Sequence, residues 1–169
     1  MRNLLFILLG LGLFGCMQRK EQCIGNVLLI PMQVYVPLYQ NEEGNIIDSI
    51  INDTIQENYA LIGIYQIKND RAKVKVTFSM DSLTIKDGWI EMKYLGIHLA
   101  HYSDTIKTML HPRLNSEISF EIKNPQWEEF YMVKNACKDW LYIQRLNCSQ
   151  DHGWLAPEYQ CDNPYTPCN

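Results

Sequence analysis

Apolar and polar residues alternate with a period of two over much of the chain, the pattern of β-strands that bury one face. Residues 73–76 (Lys-Val-Lys-Val) show this alternation, and 61–67 form an apolar run without helical periodicity, which predicts a buried strand. Turn-forming residues separate such runs at 41–45, 68–70, 87–88 and 124–125. The pattern predicts an all-β protein, with helix expected only in the apolar N-terminal run.

Composition supports this prediction and restricts the function. The chain is rich in Ile, Val, Tyr and Thr and has only five alanines among 169 residues, which favours strands over helices. It carries 15 Lys and Arg against 19 Asp and Glu, a net charge of −4. Nucleic-acid-binding proteins present a basic face, and the sequence predicts none, so we expect no nucleic-acid partner.

Four short segments recur in the same order along the chain, which indicates an internal duplication. The matched pairs are 34–40 with 97–103, 67–69 with 133–135, 74–76 with 141–143, and 87–90 with 152–155. The offset stays between 63 and 67 residues, a drift that short loop insertions explain. The matches predict two units, 31–93 and 94–157, each a small barrel or sandwich of short strands.

The N-terminus has the organisation of a secretory signal peptide. It combines a basic start at 1–3, an apolar run over 4–14 and a small residue before Cys16. The eleven-residue run is too short for a membrane-spanning anchor, which needs about 20 residues. Residues 13–16 (Leu-Phe-Gly-Cys) resemble the lipobox of bacterial lipoproteins.

This resemblance implies that residues 1–15 are removed, that Cys16 is lipidated and that 16–30 tether the protein to a membrane. A lipoprotein cysteine bears more than one acyl chain, which suits stable anchoring. The resemblance also implies a cell-envelope protein of the Bacteroidota type. Residues 17–21 lack the acidic run that would resemble a surface-export signal, so we expect an outer-membrane lipoprotein that faces the periplasm.

The second unit contains Trp-Leu-Tyr-Ile at 140–143 and closes with Gly-Trp-Leu at 153–155, while the first closes with Gly-Trp-Ile at 88–90. With an early aliphatic strand in each unit, these motifs resemble the bacterial SH3-like domain over residues 31–157. The resemblance implies two small SH3-like barrels in tandem, followed by a Cys- and Pro-rich tail, 158–169. It also implies a binding module for a cell-wall peptide or glycan (peptidoglycan), or for an envelope protein held at the wall.

Aromatic residues are the candidates for ligand contact, because peptide-binding SH3-like domains use aromatic-lined grooves. Trp89 and Trp154 either line such a groove or close the ends of the barrels as core residues. Trp127 lies in an apparent loop before a predicted strand and is the stronger surface candidate, with Tyr131 close behind it. These four side chains are the candidate ligand contacts.

Five cysteines follow the lipobox, and in an oxidising envelope they are expected to form disulfides rather than to bind metal. We predict the pairs Cys137–Cys148 and Cys161–Cys168, the second of which closes a short loop with two prolines. Cys23 is then the odd cysteine and an alternative partner for a cysteine of the tail. The sequence leaves the connectivity open.

The sequence predicts neither a catalytic nor a metal site. His98 and His101 are three residues apart, on opposite faces of a strand, and no serine has a Gly-x-Ser-x-Gly setting. Cys148 and His152 are spaced like two zinc ligands, but two further ligands at matching spacing are missing. We therefore expect a protein that is not an enzyme and that holds no metal or cofactor.

Two other functions compete with wall binding. Small, acidic, disulfide-bonded lipoproteins also suit the role of an inhibitor or immunity protein that neutralises a secreted toxin or hydrolase in the periplasm. A structural subunit of an outer-membrane assembly is the third hypothesis. A wall binder predicts an aromatic-lined groove, whereas an inhibitor predicts a broad acidic or protruding surface.

Overall fold

The computed structural model describes residues 25–52, 57–101, 106–126, 128–146, 148–165 and 168. The signal peptide (1–15), Cys16, Cys23 and Trp127 lie outside the described residues. What the sequence predicts for them stays a prediction.

The described residues form thirteen β-strands and two short 3₁₀ helices, which confirms the predicted all-β class. The strands are β1 (Gly25–Leu29), β2 (Tyr35–Tyr39), β3 (Ile46–Ile51), β4 (Ala60–Lys68), β5 (Arg71–Phe78), β6 (Lys86–Glu91), β7 (Leu95–Leu99), β8 (Met109–His111), β9 (Phe120–Glu121), β10 (Tyr131–Cys137), β11 (Trp140–Arg145), β12 (Cys148–Leu155) and β13 (Gln160–Cys161). The 3₁₀ helices are Met92–Tyr94, before β7, and Pro157–Tyr159, before β13. Among the described residues, no helix has the length and apolar character needed to cross a membrane.

The strands join one antiparallel sheet in the order β3-β2-β6-β5-β4-β1-β7-β10-β11-β12-β8-β9. The remaining strand, β13, also pairs with β7 but lies outside this order. Strands β3 and β9 are the outer edges. In the part of the chain that the structure describes, this hydrogen-bonded ladder does not close into a barrel. Two SH3-like barrels in tandem therefore remain a prediction.

The sheet contains one strand order twice. From its outer edge, the first half runs β3-β2-β6-β5-β4-β1-β7 and the second runs β9-β8-β12-β11-β10-β7-β13. In each half a 3₁₀ helix precedes the last strand along the chain. We call these halves the first and the second unit; β7 closes the first and opens the second, so it belongs to both.

Cross-strand partners determine which residues correspond in the two units. Lys73 lies opposite Trp89 in the first unit, as Tyr142 lies opposite Trp154 in the second. The predicted match of 87–90 with the segment around Trp154 is therefore confirmed, because β6 and β12 take the same place in their units.

Both units also contain a β-bulge at the same point. It falls between Ile64 and Gln66 in β4 and between Val133 and Asn135 in β10. A bulge adds one residue to one strand of a pair and bends that strand. Its recurrence indicates that the two units share local backbone geometry as well as strand order.

The other predicted matches are displaced. When the two units are aligned by their cross-strand partners, the predicted match of 74–76 with 141–143 is shifted by two residues. The match of 67–69 with 133–135 is shifted by three. The match for 34–40 is wrong, because its partner segment begins in β7, which takes the place of β1. Alternating patterns repeat every two residues, so a pattern alone does not fix the register.

Two predicted segment boundaries also change. β1 lies within 16–30, the predicted tether, but its last three residues are at most 4% exposed, so the first unit already includes β1. β13 lies within the predicted tail, 158–169, where its two residues pair with β7. Both strands are too short for their periodicity to show in the sequence.

β7 is buried along its whole length and lies at the centre of the core. Ile97 is fully buried and lies opposite Tyr131 of β10. Gly96 leaves no space for a side chain, because a Cβ there would lie 2.6 Å from Cγ1 of Ile30 and 3.2 Å from Cδ1 of Phe130. Residues from both units therefore pack directly against this strand.

Replacing Ile97 with Ala should lower the free energy of unfolding by about 3 kcal/mol, because it leaves a cavity in the buried core around β7. Urea unfolding of the wild-type and variant proteins measures this loss. The control Ile118→Ala, at a side chain 72% exposed, should stay within about 0.5 kcal/mol of wild type. Equal effects of the two substitutions would contradict the central place of β7.

Cys161 and Cys168 form a disulfide, as predicted, with Cα atoms 5.4 Å apart. The predicted pair Cys137–Cys148 is wrong: the two thiols are not bonded to each other. Cys137 pairs with the first residue of β11 and Cys148 with its last. These ends are about 16 Å apart at about 3.3 Å per residue, whereas Cα atoms in a disulfide lie within about 7 Å.

The double variant Cys161→Ser, Cys168→Ser should lose about 2.5 kcal/mol of unfolding free energy, the chain-entropy value for a loop this short. The matched double variant Cys137→Ser, Cys148→Ser should change it by less than about 1 kcal/mol, because no bridge joins those half-exposed residues. Urea unfolding without reductant checks both. The reverse ranking would show that the structural pairing is wrong.

Candidate functional site

The outer surface of the second unit carries a group of aromatic rings. Leu141 and Ile143 are fully buried, and side chains alternate across a strand, so Trp140 and Tyr142 point to the outer surface. Trp154 lies opposite Tyr142 and therefore faces the same side. These three rings are half-buried, which leaves part of each in contact with solvent.

The rings contact one another at steep angles. Ring centroids of Tyr142 and Trp154 are 5.5 Å apart at 71°, and those of His111 and Trp140 are 5.2 Å apart at 81°. The ring of His152 lies 6.2 Å from that of Tyr142. Edge-to-face pairs at such separations are stabilising, so the rings support one another's orientation. We call these five residues the aromatic face.

Strand β8 holds His111 in this group. His111 lies opposite Trp154 in the ladder, and its Nδ1 donates a hydrogen bond of 2.8 Å to the carbonyl oxygen of Ser116. Three neighbouring strands, β8, β12 and β11, therefore supply the rings of the aromatic face. Rings mounted on paired strands keep their positions better than rings on loops.

The corresponding surface of the first unit is charged instead. The places of His111, Trp140, Tyr142, His152 and Trp154 are taken, in that order, by Tyr39, Arg71, Lys73, Asp87 and Trp89. The Arg71 guanidinium lies 3.6 Å from the centroid of the Tyr39 ring, where the second unit has Trp140 against His111. The same ladder positions thus hold a cation–π pair in one unit and a ring pair in the other.

Hydrogen bonds keep the first unit's surface polar. The Tyr39 hydroxyl donates a 2.7 Å hydrogen bond to Oε1 of Glu91, and this bond raises the pKa of Tyr39. Hydrogen bonds from Lys93 and then Tyr39 lower the pKa of Glu91. The carboxylate is therefore charged at neutral pH, and the exposed aromatic group is a feature of the second unit.

Arg145 secures the strands behind the aromatic face. Its side chain is 16% exposed and donates hydrogen bonds to Glu129 (2.7 Å) and Asp151 (3.0 Å), and to the carbonyl oxygens of Lys123 (2.9 Å) and Asn124 (3.1 Å). The hydrogen bond that Arg145 donates to Glu129 raises the pKa of Arg145, so the guanidinium stays charged. The network ties the segment before β10 to β11 and β12.

Two of the candidate ligand contacts are wrong because their side chains are buried. Trp89 is 7% exposed and Tyr131 is fully buried. The Tyr131 hydroxyl donates a 3.2 Å hydrogen bond to Glu129, and burial raises its pKa. Neither ring has an accessible face for a ligand. Trp154 is half-buried within the aromatic face, so its role remains a prediction.

The sequence pattern does not identify His111, Trp140, Tyr142 and His152 as partners of Trp154. The available signal was the alternation in 140–143, in which aromatic and aliphatic residues take opposite faces of one strand. Because aromatic residues count as apolar, the pattern of 140–143 is that of one continuous buried run. Only the register of β11 against β12 shows that its rings join Trp154 on the outside.

A second aromatic group lines an apolar cavity of about 250 Å³ where the two units meet. Its rings are Tyr59, Phe130 and Tyr165, and the centroids of Tyr59 and Tyr165 are 5.5 Å apart. Tyr165 belongs to the loop that the Cys161–Cys168 disulfide closes. The cavity is smaller than most small-molecule sites and suits a single side chain or ring.

Comparisons with known proteins assign no function to these groups. No protein-family model, curated protein or solved structure matches the chain. Within the described residues, no three His, Cys, Asp or Glu side chains come together in a way that could hold a metal ion. The chemistry of the aromatic face is therefore the basis for a function.

Proposed function

We propose that this protein is a non-catalytic binding module of the bacterial cell envelope and that its aromatic face binds the glycan of the cell wall. The observation that carries the proposal is the group of five rings on the outer surface of the second unit. Partly exposed Trp and Tyr rings offer rigid contact area at low entropic cost. Sugar rings have apolar C–H faces that stack on such surfaces.

The proposal includes anchoring and location. Lipid on Cys16 holds the protein at the outer membrane, on the side that faces the periplasm, where the aromatic face can reach peptidoglycan. The two units are tandem SH3-like barrels in this proposal, and the repeated strand order and the repeated bulge support the tandem duplication. Small β-barrels and sandwiches commonly bind through residues mounted on their surface.

Co-sedimentation of soluble residues 23–169 with purified peptidoglycan sacculi tests this function. Wild type should bind saturably, and Trp154→Ala or Tyr142→Lys should weaken binding at least tenfold, since a central aromatic contact contributes about 2 kcal/mol. Tyr142→Lys introduces the residue that the first unit has at this position. Urea unfolding confirms that each variant remains folded.

Tyr35→Ala is the matched control, because Tyr35 is 64% exposed and lies outside the aromatic face. It should bind sacculi like wild type. If wild type does not sediment with sacculi, or if all three substitutions weaken binding equally, the aromatic face is not a glycan site.

A loop with two highly exposed apolar side chains favours the inhibitor as the second candidate. The side chains of Met80 and Leu83, between β5 and β6, are 73% and 93% exposed. Oδ1 of Asp81 accepts hydrogen bonds of 3.1 Å from the backbone N–H groups of Leu83 and Thr84, which fixes the loop's shape. Such a loop can enter the cleft of a hydrolase. The protein would then slow the clearing of sacculi by a muralytic enzyme, and Leu83→Asp would abolish the effect.

A further inference from the structure

A polar depression of about 320 Å³ lies on the outer surface of the first unit, separate from the aromatic face. Gly63 of β4 forms its floor, with Asn26 of β1 directly opposite on one side and Lys75 of β5 directly opposite on the other. Directly paired residues point to the same side of a sheet. Asn26 and Lys75 therefore flank the gap that Gly63 leaves.

Neither packing nor backbone conformation requires glycine at this position. A Cβ on Gly63 would lie 3.8 Å from Tyr65 and 3.9 Å from the Asn26 side chain, which is ordinary contact. None of the described glycines has a positive φ. The second unit has Met132 at the equivalent place, opposite Gly96. The same sheet position thus accepts a long side chain, and in the first unit it is left open.

Opposite charges border the open position. Lys75 lies on the β5 side, and Asp162, from the segment after β13, lies beyond β1 and lines the same depression. Among the described residues neither side chain has an ion-pair partner, and Asp87, opposite Lys75 on β6, makes none with it. Both charges are therefore available to a ligand.

Lys75 and Asp162, both described residues, form no ion pair with each other across the depression. Asn26 and Lys75 lie two strands apart, about 10 Å at a strand spacing of about 4.8 Å. Asp162 directly follows Cys161, which pairs with His98 in the ladder and is bonded to Cys168. The carboxylate is therefore held on its side of the depression, which Lys75 lines as well.

We propose that this depression binds a short zwitterionic peptide, about the size of a dipeptide with both ends free. Its carboxylate pairs with Lys75 and its ammonium group with Asp162, and its residues lie over Gly63 against Tyr65. In an extended dipeptide these charges are about 7 Å apart, less than the roughly 10 Å between the strands that carry Asn26 and Lys75. Asn26 and Thr77 supply further hydrogen-bonding groups at the walls.

Isothermal titration of the full mature chain with alanyl-alanine tests the site. The free dipeptide should bind, and its N-acetyl and C-amide forms should each bind at least tenfold more weakly, because each lacks one charge. Equal binding of the blocked and free forms would overturn the proposal. So would no binding of the free dipeptide at millimolar concentration.

Three substitutions locate the site. Gly63→Met and Lys75→Gln introduce the residues of the second unit, Met132 and Gln144, and should each lower the affinity at least tenfold. Asp162→Asn should weaken binding of the free dipeptide and leave binding of its N-acetyl form unchanged. Urea unfolding checks that each variant is folded.

Lys73→Gln is the matched control, because Lys73 is an exposed lysine on the same strand that does not line the depression. It should bind the dipeptide like wild type. If Lys73→Gln weakens binding as much as Lys75→Gln, the surface attracts the peptide by its general charge, and the proposed site is wrong. If Gly63→Met binds like wild type, the ligand does not lie over Gly63.

Discussion

The rest of the structure depends on the pairing of one buried strand, β7, with three others. Its residues pair with β1 of the first unit, with β10 of the second and with β13 after the second 3₁₀ helix. Five consecutive buried residues leave no free face, so each of these pairings is formed inside the core. Neither unit has a complete sheet without β7, so we expect the protein to unfold as one cooperative structure.

A shared scaffold allows the outer surfaces of the two units to differ. Core positions repeat because both units pack against the same strand, whereas outward positions are free to change. Arg71 and Lys73 in the first unit correspond to Trp140 and Tyr142 in the second. This difference gives the first unit a polar outer surface and the second unit a surface lined with aromatic rings. A duplicated unit can in this way supply two kinds of binding surface.

The sequence predicts the class of the fold better than its register. Alternation and turn residues predict strands, and the Gly-Trp repeat correctly pairs the segment around Trp89 with that around Trp154. A one-residue change of register moves an aromatic ring from the surface into the core, so the burial of Tyr131 follows only from its pairing with Ile97. For the same reason the sequence does not show that the rings beside Trp154 form one group.

Native-state hydrogen exchange tests the shared strand most directly. If β7 belongs to both units, the slowest backbone amides of β4 and β5 and those of β10 and β11 should exchange through one global opening, with the same free energy. Two different opening free energies, one for the slowest amides of each unit, would mean that one unit stays protected while the other opens. That result would contradict a strand shared by both units.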